Sequence, residues 1–276
     1  MPPSAPVTDR LLLDRERELA EIVERLESAR AGSGSAMLVE GPGGIGKTEL
    51  LLASERAARQ RGMIVAGARG AELEREFAFG VVRQLFEPAV SGSAGPALLE
   101  GAAALAAPVF ELPSGGPGGG AVAERSFAVL HGLYWLCANL ADRAPLLLAV
   151  DDVHWSDPAS LELVSYLARR VGELPIALLV ATRPGQEAVE GLLEELRADP
   201  RAGVVRPSAL GSNAVAELVR VVTGQEPDAA FLEACRAATE GNPFLVRELV
   251  REVGERGIVP AAGEAERVRE LGPRTV

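Results

Sequence analysis

The sequence predicts an α/β fold: a five-stranded parallel sheet flanked by helices, followed by a small helical lid. Three observations predict it. Short apolar runs alternate with amphipathic stretches as far as Gly211, and only helical patterns follow. One run opens into a glycine-rich loop, and another ends in paired carboxylates. Strands separated by helices demand right-handed crossovers, which place the strands in parallel and cover both faces of the sheet.

The elements follow in chain order. Residues up to about Leu12 form a loose arm. Asp14 to Arg30 carries Leu19, Ile22, Val23 and Leu26 among charges, the spacing of an amphipathic helix. After a small-residue turn, Ala36 to Glu40 is the first buried strand, and a helix over Lys47 to Arg61 follows the glycine-rich loop. Met63 to Ala68 is the second strand. Phe77 to Val90 is a helix with Val81, Val82, Leu85 and Phe86 on its apolar face. Leu112 to Ala121, with five glycines and two prolines, is a surface loop before a helix over Val122 to Ala141.

Leu146 to Val150 is the most apolar strand. Asp157 and Pro158 supply a cap and a first-turn residue for a helix over Ala159 to Val171. Ile176 to Ala181 and Val204 to Leu210 are the remaining strands, with a helix over Glu187 to Ala198 between them. Asn213 to Val222, Asp228 to Thr239 and Pro243 to Glu255 form the lid. The expected organisation is an arm and helix in 1–30, an α/β core in 31–211 and a helical subdomain in 212–276.

Composition narrows the function classes. The chain has 276 residues, 47% hydrophobic and 24% charged, an ordinary globular mixture. Acids outnumber bases by 39 to 28, for a net charge of -11, so the chain as a whole repels a phosphate backbone and direct DNA binding is not expected. Cys137 and Cys235 are far apart in helical patterns, which argues against a disulfide framework or a zinc site. No apolar run is long enough to span a bilayer, and the first ten residues lack the pattern of a signal peptide. A cytoplasmic location is the expectation.

Among 28 basic residues the only lysine is Lys47. It closes Gly41-Pro42-Gly43-Gly44-Ile45-Gly46-Lys47-Thr48, a phosphate-binding loop between a predicted strand and helix. Glycines there permit positive dihedrals and close approach, so that successive amides and the helix N-terminus face phosphate oxygens. Lys47 reaches the outer phosphates, Thr48 offers a hydroxyl to magnesium, and Glu49 completes the nucleotide-contacting set. The strand ending in Asp151 and Asp152 is the complementary element. Asp151 is the expected metal partner and Asp152 the residue that orients or deprotonates water. Successive residues of an extended strand point in opposite directions, which predicts that the two acids face different ligands. Arg183, after the fourth strand, is positioned to sense the γ-phosphate. His154 and Trp155 read as packing or hydrogen-bonding residues, and Gly241-Asn242-Pro243 as a helix-entry turn that either serves the helix alone or also touches the nucleotide.

These residues together resemble the signal-transduction ATPases with numerous domains, a STAND-class branch of the AAA+-like P-loop NTPases. In particular they are similar to the N-terminal ATPase modules of large ATP-binding LuxR-type transcriptional regulators of actinobacteria. The resemblance is carried by Leu13 to Leu19, Gly41 to Thr48, Arg69 to Glu87 with Phe77-Ala78-Phe79-Gly80 at its centre, Asp151 to Pro158, Thr182-Arg183-Pro184 and Gly241 to Phe244. It implies an ATP-binding, slowly hydrolysing switch that uses ATP or ADP with Mg2+, with Arg15 on the adenine side and Pro243 at the nucleotide. It also implies self-association, or contact with C-terminal sensor and DNA-binding domains, since the family continues into a winged helix beyond the point where this chain stops. Asp14 departs from the family, which usually has glycine before the arginine. Two other functions fit the same motifs: a scaffold holding ADP or ATP without turnover, and a small-molecule P-loop kinase.

Removing the ammonium tests the phosphate loop. Lys47→Ala is expected to weaken ATP binding by about 1.5 to 3 kcal/mol, the size of a charge-assisted contact. Calorimetric titration of the folded variant checks it, and unchanged affinity refutes the assignment.

Overall fold

The computed structural model describes residues 12–111, 122–199 and 201–272. The expected N-terminal arm up to residue 11 and the expected loop over 112–121 lie outside them. Two compact units are present: residues 18–40 with 51–206, and residues 12–17, 41–50 and 207–272.

The larger unit is a parallel sheet in the order β2-β3-β4-β1-β5, formed by β1 (Ser35–Glu40), β2 (Ile64–Arg69), β3 (Leu146–Asp151), β4 (Ile176–Thr182) and β5 (Gly203–Val205). Every residue of β1, β3 and β4 is buried, as continuous apolar runs in a sheet covered on both faces require. Leu38, Leu148, Val150, Leu178 and Val180 pack into one core with helices α3 (Gly80–Val90), α6 (Val122–Ala141), α7 (Pro158–Ala168) and α8 (Glu190–Ala198). Met37, Val39, Leu147, Ala149, Leu179 and Ala181, which alternate with them, are equally buried. Helices α1 (Glu16–Arg30) and α2 (Lys47–Gln60) precede and follow β1. The last strand is shorter than the expected Val204 to Leu210. Pro207 has no N–H to continue the ladder and confines Arg206 to extended backbone.

Residues 95–110 contain elements that periodicity did not reveal: α4 (Gly95–Leu98), a 3-10 turn over Gly101–Ala106 and α5 (Ala107–Phe110). Their small residues press against α6. A Cβ on Gly132 of α6 would lie 2.5 Å from the Ala106 nitrogen, so only glycine permits the approach.

Helix α3 starts at Gly80 rather than at the expected Phe77, because Phe79 takes a left-handed conformation with φ +62°. One carboxylate explains the turn. Asp157 is 2% exposed and its Oδ1 accepts from the Ser160 amide at 3.0 Å, capping α7, and from the Phe79 amide at 2.8 Å. Its Oδ2 accepts from the Val81 amide at 3.5 Å, and Ser160 Oγ accepts from the Val82 amide at 3.2 Å. The first-turn amides of two helices thus share one cap.

The smaller unit contains the remaining helices, α9 (Ser212–Thr223), α10 (Ala229–Thr239), α11 (Pro243–Glu255) and α12 (Ala265–Leu271). Val215, Val219, Phe231, Cys235, Val246 and Val250 are among its core. Burial pushes the Cys235 thiol up to about 12 and the Cys137 thiol higher still, so both remain inert apolar side chains.

Because Asp157 caps two helices, Asp157→Ala is expected to cost about 2 to 4 kcal/mol, beyond the roughly 1 kcal/mol of an ordinary cap. Denaturant unfolding measures this, and a loss below 1 kcal/mol shows that α3 does not depend on the carboxylate.

Candidate functional site: a phosphate loop and an acid pair

The site residues expected from the sequence fall into two groups, one in each unit. In the smaller unit, the loop from Gly41 to Thr48 follows β1 and enters α2. Gly44 and Gly46 have φ of +75° and +98°, values at which a side chain is strained. Lys47 is 6% exposed, and its Nζ donates to the Gly41 carbonyl at 2.8 Å and the Pro42 carbonyl at 2.9 Å. The only ammonium side chain of the sequence therefore lies within the loop that bears it. Thr48 and Glu49 occupy the first turn of α2, where partial positive charge favours oxygen ligands.

Arg15 belongs to the same unit and is 2% exposed. Its Nη2 donates to the Ile45 carbonyl at 2.8 Å, so the arginine is tied to the loop itself. The preceding Asp14 has φ +53°, a conformation in which glycine is at ease, and its Oδ2 accepts from the Gly211 amide at 2.7 Å. Aspartate tolerates this backbone when its short side chain finds a local partner.

The Gly241-Asn242-Pro243 turn meets the loop from the helical side. Asn242 caps α11, with Oδ1 accepting from the Phe244 amide at 3.1 Å, and Pro243 fills the first helical position. The side-chain Nδ2 of Asn242 donates to the Gly43 carbonyl at 2.9 Å, and the Phe244 amide donates to the Gly44 carbonyl at 3.2 Å. Gly241, at φ +68°, is fixed by crowding: a Cβ there would lie 2.8 Å from the Leu210 carbonyl oxygen.

In the larger unit, β3 delivers the acids. Asp151, the last residue of the strand, is 7% exposed. Asp152 leaves the extended conformation with φ +46°, so strand alternation does not continue through it. The expectation of opposed side chains is corrected accordingly: the guanidinium of Arg69 reaches both, with Nη2 2.8 Å from Asp152 Oδ2 and Nε 3.8 Å from Asp151 Oδ2. The hydrogen bond to Asp152, partly opposed by burial and aided by the charge of Asp151, holds the Arg69 guanidinium protonated beyond its ordinary range. Arg69 ends β2 in register with Asp151. Gly70 then permits the two loops to touch, since a Cβ on it would lie 2.5 Å from the Asp152 carbonyl oxygen.

His154 is buried, with Nδ1 3.3 Å from Thr182 Oγ1 at the end of β4, and Arg75 lies 5.6 Å above the Trp155 ring. A cleft of about 1100 Å³ is lined by Arg69, Phe77, Arg83, Asp152, Trp155 and Arg183. Arg183 thus shares a surface with Asp152.

The profile of a family described as the AAA ATPase domain matches residues 12–180. The chain belongs to that family. A relative of this AAA ATPase domain, an uncharacterized protein of Rhizobium meliloti (strain 1021), is 32% identical over 202 residues, covering 63% of this chain and 18% of the relative. Among solved structures, the Walker-type ATPase of Pyrococcus abyssi superposes with a TM-score of 0.57 at 17% identity, covering 94% of this chain and 72% of that one. The ORC2 protein of Aeropyrum pernix, in its ADPNP-ADP complexes, gives 0.56 at 15% identity, covering 100% and 70%. ORC1 from the same organism, in complex with DNA, gives 0.53 at 19%, covering 95% and 66%. These likenesses establish the P-loop ATPase fold.

Among the described residues of the AAA ATPase domain, no helix is long and apolar enough to cross a membrane. No cluster of three or more histidine, cysteine or acidic residues suited to a metal occurs among them either. Sequence reasoning missed Arg69 as a site residue; it singled out the Gly241-Asn242-Pro243 turn but assigned the nucleotide contact to Pro243 rather than to Asn242. Arg69 carried one signal, as the cation ending the strand that precedes the acid strand.

A Cβ on Gly44 would lie 2.7 Å from Asn242 Oδ1 and 2.8 Å from Phe244 Cβ. Gly44→Ala therefore strains the backbone and pushes α11 away, for an expected loss of about 2 to 3 kcal/mol. Gly32→Ala, with φ +91° and open space around it, bears the strain alone, about 1 to 2 kcal/mol. Equal unfolding free energies for the two variants would refute the grip on the loop.

Proposed function

We propose that this AAA ATPase domain binds ATP and ADP and acts as a slowly hydrolysing switch in a signal-transduction ATPase, of the kind that serves a LuxR-type transcriptional regulator. The observation that carries the reading is the pair of hydrogen bonds from Asn242 and Phe244 to the Gly43 and Gly44 carbonyls. A change in the loop on exchange or loss of a phosphate reaches α11 through bonded atoms, which is what a switch requires. The Rhizobium relative, of which this chain covers 18%, supports placing the domain in a larger protein whose sensor and DNA-binding parts, or a second copy, receive that change. With its charge of -11, the domain itself has no affinity for DNA in this reading.

The residues suit a nucleoside triphosphate. Loop amides and Lys47 bind phosphate oxygens, Arg15 braces the loop toward the base, and Pro243 starts the helix that faces it. Arg183 senses the terminal phosphate. Thr48 and Asp151 are the hard oxygen donors that would hold Mg2+, which when bound neutralises phosphate charge. Asp152 accepts the proton of the attacking water. Its hydrogen bond to Arg69 commits the carboxylate elsewhere, in keeping with slow turnover. The same pairing also favours a scaffold that holds ADP without turnover.

Three variants separate these roles. Asp151→Asn is expected to reduce the gain in ATP affinity on adding magnesium. Asp152→Asn is expected to leave affinity intact while single-turnover hydrolysis falls by about 10² to 10⁴, the contribution of a general base, and Arg69→Ala is expected to raise the rate. If Asp152→Asn hydrolyses ATP normally, the assignment of the base is wrong. Freshly purified protein that carries ADP and releases no phosphate identifies the scaffold.

A further inference from the structure

The end of β1 bears a charge that the sheet itself does not require. Glu40 closes this buried strand, is 6% exposed and lies opposite Thr182 of β4. Its Oε1 accepts from Arg197 Nη2 at 2.6 Å, while its Oε2 accepts from Arg206 Nη2 at 2.8 Å and Nε at 3.0 Å. Arg197, on α8, is held on its other side by Glu190 Oε1 at 3.0 Å. Arg206 directly follows β5 and precedes Pro207. Burial alone would push the Glu40 carboxyl up, but the hydrogen bonds from Arg206 and Arg197 outweigh it and hold the group below the usual carboxylate range.

A buried ionic cluster stabilises a fold less than an apolar residue of similar volume, and its value here lies in fixing geometry. Three chain segments meet at one carboxylate, and the next residue is the first glycine of the phosphate loop. The alignment continues one step along both chains, because a Cβ on Gly41 would lie 3.8 Å from Pro207 Cδ and 2.9 Å from Ile45 Cγ2.

We propose that Glu40 is a positioning residue for the nucleotide: clamped by Arg197 and Arg206, it fixes the last residue of β1, to which the first glycine of the phosphate loop is covalently joined, and so sets nucleotide affinity. The inference rests on the nucleotide-binding reading of that loop. It assigns control of affinity to a carboxylate outside the loop and to an arginine at the far edge of the sheet.

The test is calorimetric titration of ADP into the full chain, with the unfolding midpoint measured alongside without nucleotide. Glu40→Gln and Arg206→Ala are each expected to weaken ADP binding roughly tenfold, within the usual range of coupling between sites. Arg206→Lys is expected to retain more affinity than Arg206→Ala. The Arg206 side chain is 63% exposed, but its removal leaves the buried Glu40 carboxylate short of donors, so the unfolding midpoint of Arg206→Ala falls as well, and Arg206→Lys, which restores a charge there, controls for that loss. With Arg197 and Glu190 still in place, loss of Arg206 lets the Glu40 carboxyl protonate at higher pH than in the wild type. Affinity in Arg206→Ala is therefore expected to fall earlier as the pH drops from 7 to 5. Wild-type affinity in both Glu40→Gln and Arg206→Ala overturns the inference, as do losses that follow the unfolding midpoint with no change in the pH profile. Failure of the wild type to bind ADP, or binding untouched by Lys47→Ala, instead overturns the nucleotide reading and the inference with it.

Discussion

Burial of both faces of the sheet is the constraint on which the rest of the molecule depends. Interior positions of β1, β3 and β4 are spent on packing, so a polar group is tolerated only at a strand end. Three polar residues occupy the final positions of these strands: Glu40, Asp151 and Thr182. Each begins a segment that carries candidate site residues. Glu40 precedes the phosphate loop, Asp151 precedes Asp152 and the buried His154, and Thr182 precedes Arg183. The parallel arrangement gathers all three ends at one edge, since every strand runs the same way.

Charge at low exposure is tolerated here because each carboxylate has a donor partner. Glu40 has two guanidiniums, Asp157 has three backbone amides, and Asp152 has Arg69. Asp157 clarifies the acidic run that follows β3. Its first two acids meet Arg69, whereas its third is structural, capping α7 and α3 at once and thereby holding the segment that carries Phe77 and Phe79.

What the sequence disclosed follows from how far apart the cooperating residues lie. Strands β1, β3 and β4 were legible because a doubly covered strand is a continuous apolar run, and the phosphate loop was legible because its glycines, lysine and threonine are contiguous. The contacts of Arg69 with Asp152, Glu40 with Arg197, and Asn242 with Gly43 join residues 83, 157 and 199 positions apart, and no local pattern announces them. Local reasoning also failed where one backbone angle changed the geometry. Strand alternation ended at Asp152, and helical periodicity ran back to Phe77 past a left-handed Phe79. At Asp14 the departure from glycine proved compatible with the fold, because the backbone still takes the left-handed form and the carboxylate finds the Gly211 amide.

The unit containing the phosphate loop is assembled from segments far apart in the chain: residues 41–50 are compact with residues 207–272, and the sheet residues 51–206 come between them. A ribosome making this chain therefore releases the loop well before its partner helix, with the whole sheet segment in between. Until Asn242 and Phe244 have been synthesised, the nascent protein holds every glycine of the motif and Lys47, but not the hydrogen bonds that fix the Gly43 and Gly44 carbonyls. A chain interrupted before α11 would carry the complete phosphate-loop signature without the Asn242 and Phe244 hydrogen bonds that hold the Gly43 and Gly44 carbonyls, so for this molecule the motif is made long before the contacts that fix it.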